Sequence, residues 1–166
     1  MNPTYLHLLL NHFPITGTLI GFGILSYGLF SKSQQVKLLG IFIIVITALI
    51  AVPVFLTGEP AEESVEDIAG ISKSIIETHE EAAELAFWLM EVTGLIALIS
   101  VFFHYRKSGY MKHSVVATLL FSAVTFGAMA RTGYLGGQIR HSEIRSNTTV
   151  IQNQQNENGE EDDDDD

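Results

Sequence analysis

Four long apolar stretches, separated by short polar segments, dominate the pattern of the chain. They run over residues 6–30, 38–56, 82–103 and 115–130. An α-helix needs about 20 apolar residues to cross the hydrocarbon core of a bilayer. Because helical patterning continues beyond some of these limits, we predict spans over about residues 6–30, 38–56, 75–105 and 113–135. The expected fold is all-α: an integral membrane antiparallel four-helix bundle in one domain, residues 1–145.

The composition agrees with a protein that lies in a lipid bilayer. Hydrophobic residues make up 47% of the chain and charged residues only 17%, whereas an ordinary soluble domain has about 25% charged residues. A net charge of −10 argues against a nucleic-acid partner, because nucleic acids are bound by basic surfaces. The absence of cysteine excludes disulfides, thiolate metal sites and c-type haem attachment.

The charges between the spans predict how the chain is oriented in the membrane. The turns at residues 31–37 and 104–113 hold five basic residues and no acidic one, whereas residues 57–84 hold nine acidic residues and only Lys73. Short loops rich in lysine and arginine face the cytoplasm. We therefore expect a multi-pass protein of the cell (inner) membrane, with the N-terminus and the C-terminus both extracytoplasmic.

Two segments outside the spans have patterns of their own. Pro60 and its acidic neighbours suit the first turn of a short extracytoplasmic helix that ends near Gly70, and the third long helix is expected to begin near Ile75. Residues 146–166 are rich in amides and end in five aspartates. With so little apolar surface, this acidic C-terminal tail is expected to be disordered. Its charge would attract a basic partner such as a soluble cytochrome c.

Helical periodicity predicts which side of each span faces the other spans. In the third span, small and polar residues fall on the side of His79, and large apolar residues such as Trp88 and Leu95 fall on the opposite side. In the first span, His12 shares a side with Thr16. For the fourth span we expect an inner stripe of small and polar residues: Ala123, Gly127, Ala130, Tyr134, Gly137 and His141.

Three histidines are expected to meet at the outer surface of such a bundle. With four antiparallel spans, the start of the first, the start of the third and the end of the fourth lie at one level, which brings His12, His79 and His141 together. Arg131 and Arg140 would lie at the same level. Several imidazoles at one depth of a bundle form a plausible cofactor site.

Short motifs in the first span resemble those of a membrane protein family. Leu6-His7 is followed by Asn11-His12-Phe13-Pro14-Ile15, which resembles the N-terminal signature of an uncharacterised bacterial four-helix family; His79 also looks similar. The resemblance covers about residues 5–134. That family is similar to the transmembrane di-haem cytochrome b group, and its members are similar in context to respiratory proteins. The resemblance therefore implies a haem protein or a subunit of a respiratory complex.

The chemistry of b-type haem suits the three histidines. Two imidazoles from facing helices can ligate the iron, and basic groups can pair with the propionates. The first and third spans are diagonal in a sequentially wound bundle, so His12 and His79 are the expected axial pair. Arg131 and Arg140 are the propionate candidates, and His141 is a reserve ligand. This interpretation predicts an electron-transfer protein that binds haem b near the outer face.

Other interpretations of the same residues stay open. His12, His79 and His141, with Glu80 or Glu59, could hold a Zn, Fe or Cu ion at a non-haem site. Alternatively, the chain is a cofactor-free structural subunit of a membrane complex. Independent enzymatic activity is not expected, because no nucleophile motif, phosphate-binding loop or catalytic triad is visible. The pattern leaves the oligomeric state open.

Two further residues have open roles. His7 projects about 140° from His12 on an ideal helix, so a packing or headgroup role is favoured for it. Glu91 lies inside the third span, where an unpaired charge is costly. It could relay protons, share a proton with another group, or pair with Arg131.

Overall fold

The computed structural model describes residues 3–63 and 73–140, and this part of the chain is built from α-helices. In chain order they are α1 (Pro3–Leu10), α2 (His12–Phe30), α3 (Gln34–Leu56), α4 (Gly58–Glu63), α5 (Lys73–Tyr105) and α6 (Met111–Arg140). The predicted short helix is present in part as α4. Its expected end near Gly70 and the acidic tail at 146–166 lie outside the described residues.

Four helical segments are long and apolar enough to cross a membrane. They are Thr4–Phe30, Gln34–Leu56, Lys73–Tyr105 and Met111–Ile139. This confirms the predicted number of spans and their order along the chain. The third span begins at Lys73, two residues before the expected start at Ile75.

The first span is interrupted at Asn11, between α1 and α2. Pro14 explains the break: it has no N–H to donate to the Leu10 carbonyl, and its ring crowds that carbonyl. Asn11 N still donates to the His7 carbonyl at 2.8 Å. The chain therefore continues in nearly the same direction, and α1 and α2 together form one span, which agrees with the predicted span over residues 6–30.

Helices α2 and α3 approach each other through glycines. An ideal Cβ on Gly40 would lie 2.7 Å from the backbone N of Leu25, and one on Gly21 would lie 2.7 Å from Cγ1 of Ile44. Contacts this short leave no room for a side chain. Position 40 on α3 lies beside position 25 on α2, and position 44 lies beside position 21, so the two helices run in opposite directions.

Hydroxyl groups join α5 to α6. Thr93 and Thr125 are hydrogen-bonded at 2.8 Å, and Ser100 and Thr118 at 3.1 Å. Thr132 Oγ1 also donates to the Ala82 carbonyl at 2.9 Å. The two hydroxyl pairs are seven residues apart on each helix, which is the repeat of helices that pack along a common seam. The pairing order shows that α5 and α6 also run in opposite directions.

The four long helices pack around a shared interior in which each has two main neighbours. Helix α2 packs against α3 and α6, and α5 packs against the same two helices. At the centre, Thr18 of α2 donates to Sδ of Met90 at 3.3 Å. Fully buried apolar side chains fill the remaining space: Leu25, Ile41, Ile44, Met90 and Ala97.

The predicted inner side is confirmed for the third span and wrong for the fourth. On α5 the prediction is confirmed, since Met90, Thr93 and Gly94 are buried while Trp88 and Leu95 are exposed. On α6 it was wrong: Ala123, Gly127 and Tyr134 are exposed. The buried stripe consists of Val115, Thr118, Ser122, Thr125 and Met129. Hydroxyl groups take the inner face because lipid offers them no hydrogen-bond partner.

The close contact of α2 with α3 generates a prediction. Gly40→Leu should lower the free energy of unfolding by about 1–3 kcal/mol, because the new side chain has to push the two backbones apart. Gly23→Leu is the matched control on the partner helix, since Gly23 is exposed and an ideal Cβ there meets nothing within 4 Å. Denaturant unfolding in detergent micelles measures both changes. Equal effects of the two substitutions would contradict the close approach.

Candidate functional site

The two basic turns lie at the same end of the long helices. Gln34, at the start of α3, is hydrogen-bonded through Nε2 to Nδ1 of His104 at 3.1 Å and donates to Sδ of Met111 at 3.3 Å. His104 and Met111 flank the turn between α5 and α6. The chain's basic turn residues are therefore gathered at one end, and the candidate site lies at the other.

His7 is held between α1 and the end of α3. Its half-buried ring donates from Nδ1 to the carbonyl of Val54 at 3.0 Å. The hydroxyl of Thr57 lies 3.5 Å from the same nitrogen. An ideal Cβ on Gly58 would come within 3.7 Å of Cε1 of this ring. The imidazole is thus oriented by the backbone at the end of α3, with a glycine beside it.

His79 is held between α5 and α6 in a similar way. Its half-buried ring donates from Nδ1 to the carbonyl of Thr132 at 3.0 Å. An ideal Cβ on Gly136, one turn further along α6, would lie 2.9 Å from Cε1 of this ring. A larger residue at position 136 would displace the imidazole. Glycine at position 136 therefore lets the imidazole pack against α6, and the hydrogen bond to Thr132 fixes its direction.

The two hydrogen bonds determine the protonation of each ring at Nδ1. A carbonyl oxygen can only accept, so Nδ1 of His7 and of His79 must carry the proton. In the neutral imidazole, Nε2 then keeps its lone pair. Histidines that ligate metals usually donate their other ring N–H in this way, to a carbonyl or a carboxylate.

His12 does not occupy the position expected for it. Its side chain is exposed, on the side of the first span that also exposes Leu19. The inner side of α2 is formed by Pro14, Thr18, Gly21, Leu25 and Gly28. His7, rather than His12, is the N-terminal histidine whose ring is half-buried and held by another helix. A signal for this exists in the sequence, because His7, Pro14, Gly21 and Gly28 are spaced by seven residues.

The other expected site residues are placed as follows. Arg131 of α6 is exposed, one residue before the threonine whose carbonyl binds His79. Arg140 is the last residue of α6, and its side chain is outside the description. His141 lies beyond the described residues. Within residues 3–63 and 73–140, no group of three His, Asp or Glu side chains is arranged to hold a metal ion.

An acidic cavity, which the sequence analysis did not predict, lies between α4 and the start of α5. Its volume is about 210 Å³, and Glu59, Glu62, Glu77, Glu80 and Lys73 are among its lining residues. Burial, followed by the charges of Glu80 and Glu59, raises the pKa of Glu62 to about 7. Only the folded chain brings α4 beside α5, so the spacing of these glutamates along the sequence did not reveal the cavity.

Comparison with known proteins assigns the chain to a family. A family model described as "Predicted membrane protein (DUF2231)" matches residues 3–144. The chain belongs to the DUF2231 family. This confirms the expected membership of an uncharacterised membrane protein family, while the similarity to di-haem cytochromes b stays a prediction. No curated protein and no solved structure matches the chain.

The raised pKa of Glu62 generates a prediction for this DUF2231 protein. Since the ordinary value is 4.5 and the folded value is about 7, the folded state binds the proton more tightly than the unfolded state. The resulting stabilisation is fully present below pH 4.5 and is lost as the pH rises towards 7. The melting temperature of the unsubstituted protein should therefore fall between pH 5 and pH 8. In Glu62→Gln this fall should be smaller, because the amide does not titrate.

Melting curves in detergent at pH 5, 6, 7 and 8 measure the effect. Glu81→Gln is the matched control, because Glu81 is an exposed glutamate at the start of α5 that is not among the residues lining the cavity. It should keep the pH dependence of the unsubstituted protein. A pH dependence that is identical in Glu62→Gln and the unsubstituted protein would show that Glu62 does not titrate with folding.

Proposed function

We propose that this protein is a membrane electron-transfer protein that binds haem b, with His7 and His79 as the axial ligands. The observation that carries the proposal is the matched pair of half-buried imidazoles, each donating from Nδ1 to a backbone carbonyl. Two oriented rings from different helices, each with a free Nε2, are the donor set of a b-type haem. When bound, the haem supplies one-electron transfer.

The fit of the rings against glycines supports the proposal. An ideal Cβ on Gly136 would lie 2.9 Å from the ring of His79, and one on Gly58 would lie 3.7 Å from the ring of His7. The glycines therefore let the imidazoles pack against the helix backbones, which helps to hold each ring in one position. The chain's own contribution is to orient the two nitrogens and to limit the access of water to them.

The remaining expected residues have supporting roles in this proposal. Arg131 and Arg140 are the basic groups of α6 nearest this end, and they would pair with the haem propionates. His141 follows Arg140 directly and is retained as a reserve ligand. His12 is replaced by His7 as the partner of His79, because the side chain of His12 points away from the other helices.

The proposal also concerns the arrangement in the membrane. The long helices would form an antiparallel bundle in the inner membrane, with the basic turns in the cytoplasm and the histidine end outside. Helix α4 and both termini would then be extracytoplasmic. The acidic cavity and the acidic tail would lie on the same outer side, where they favour a basic redox partner such as a soluble cytochrome c or a respiratory complex.

Optical spectra test the haem proposal. Protein purified from membranes should show cytochrome b bands in reduced-minus-oxidised spectra, with about one haem per chain by pyridine haemochrome assay. His7→Ala and His79→Ala should lose the bands, because each removes one of the two imidazoles that hold the iron. His12→Ala is the matched control and should keep them. Circular dichroism checks that each variant remains helical.

Two outcomes would reject the haem proposal in favour of a named alternative, and a third would change only the assignment of one ligand. Stoichiometric Zn, Fe or Cu without haem would indicate a non-haem metal site at these histidines. Protein free of haem and metal that copurifies with a membrane complex would indicate a structural subunit. Loss of the bands in His12→Ala with retention in His7→Ala would restore His12 as the axial ligand.

Single cysteines test the orientation, and the absence of native cysteine makes the test direct. Tyr110→Cys lies in the turn between α5 and α6, and Glu63→Cys lies on α4; both positions are exposed. In intact cells a membrane-impermeant thiol reagent should label the second and spare the first, because the basic turn is cytoplasmic. The reverse pattern would place the histidine site inside.

A further inference from the structure

Glu91 is an acidic residue in the membrane-spanning part of α5 that the proposed haem site does not use. It lies near the middle of the 33-residue helix, 12 residues beyond His79, which is about 18 Å along the axis. The side chain is half-buried, and its Oε1 atom is fully buried without a hydrogen-bond partner in the described part of the chain. A buried polar atom with no partner is rare in proteins and requires an explanation.

The side chains around Glu91 on its own helix are apolar. Met90 and Gly94 face the interior, whereas Trp88, Val92 and Leu95 face outwards. Across the contact with α3, Ala48 packs on Gly94 and Phe55 stacks on Phe87. The stretch of α3 between residues 48 and 55 is therefore level with Glu91, and it contains no charged residue.

Within residues 3–63 and 73–140, no cation is placed to neutralise Glu91. The two helices packed against α5 carry the following charged or titratable residues: Lys37, Lys112, His113, Arg131, Tyr134 and Arg140. Lys37, Lys112 and His113 lie at the end of the long helices where the basic turns are, and are therefore far from Glu91. Thr125 donates to the carbonyl of Leu89, so Thr125 is the residue of α6 that is level with Glu91. Arg131 lies about 9 Å further along the axis of α6 than Thr125. Arg131 is exposed, and Oε1 of Glu91 has no hydrogen-bond partner among the described residues. Both observations argue against a pair with Arg131, which is one of the three roles considered for Glu91.

On α5 itself, the nearest titratable neighbours are also distant. Glu84 lies about 10 Å towards the acidic end, and His104 lies about 20 Å towards the basic end. An ionised carboxylate at this depth would cost several kcal/mol without a partner. A protonated carboxyl avoids this cost, since it is neutral.

Helix α3 offers the protonated form a hydrogen-bond acceptor at the right level. Pro53 lies inside α3, and because proline has no N–H, the carbonyl of Leu49 lacks its usual helical partner. Leu49 belongs to the stretch of α3 that is level with Glu91. A neutral carboxyl can donate its proton to a carbonyl oxygen, whereas a carboxylate cannot, so a free acceptor at this level favours the protonated form.

We propose that Glu91 is a proton-binding site inside the bilayer. Its ligand is a proton, held on a carboxyl at the contact between α3 and α5 and separated from the histidine end by about three turns of helix. The site is distinct from the proposed haem ligands, because Glu91 lies about 18 Å along α5 from His79 and His7 bonds to the carbonyl of Val54 rather than to that of Leu49. It therefore remains testable whether or not the chain binds a cofactor.

Carbodiimide labelling of the full chain in liposomes tests the proposal. A hydrophobic carbodiimide adds to a protonated carboxyl in apolar surroundings, and the acyl group then migrates to nitrogen, so that the peptide gains the full mass of the reagent. Mass spectrometry should locate this label at Glu91 at pH 6 and show its loss as the pH is raised. A water-soluble carbodiimide should not label Glu91.

Two substitutions complete the test. Glu91→Gln should lose the hydrophobic label entirely and should fold as the unsubstituted protein does, because glutamine is neutral and of the same size. Glu84→Gln is the matched control, since Glu84 is exposed and lies one heptad away on the same side of α5; it should keep the label at Glu91.

An infrared difference spectrum between the unsubstituted protein and Glu91→Gln gives an independent readout. The proposal predicts the carbonyl stretch of a protonated carboxyl at neutral pH. It is overturned if the difference spectrum shows a carboxylate at neutral pH, or if the water-soluble reagent labels Glu91 as readily as the hydrophobic one. Absence of the hydrophobic label from Glu91 at pH 6 would also overturn it.

Discussion

A helix in lipid has to satisfy every polar group without water, and the packing of this protein depends on that constraint. Apolar side chains gain little by leaving lipid for the protein interior, so helices associate through close backbone contact and internal hydrogen bonds. Both occur here. Gly40 brings α3 onto the backbone of α2, and Thr93 and Thr125 bind each other between α5 and α6.

These contacts also determine the geometry of the histidine site. The hydroxyl pairs align α5 and α6 so that His79 reaches the carbonyl of Thr132 beside Gly136. On the other side, His7 lies seven residues before Pro14, on the inner side of the first span, and reaches the carbonyl of Val54. The same demand for internal partners therefore stabilises the packing and orients both imidazoles.

The sequence predicts the spans well, since length and hydropathy depend on local composition. It also predicts the inner side of α5, where small residues contrast with Trp88 and Leu95. It fails on α6, because the small residues Ala123 and Gly127 were expected inside, whereas Thr118 and Ser122 lie there instead.

Parts of the histidine site could not be predicted from the sequence. Helical geometry separates His7 from His12 but does not say which side of the helix is buried; that depends on the glycines packed against α3. His79 was correctly placed on the inner side, although its partner, the carbonyl of Thr132, is a backbone atom that carries no sequence signal. The cavity around Glu62 depends on the position of α4 beside α5, which periodicity alone does not determine.

The central claim is that His7 and His79 are held with the proton on Nδ1 and with Nε2 free. Imidazole ¹⁵N NMR of the full chain in micelles tests it, because the long-range couplings distinguish the two neutral tautomers. The account predicts the Nδ1–H form for both histidines and no fixed tautomer for the exposed His12. An Nε2–H form at either His7 or His79, or free averaging of both rings, would contradict it.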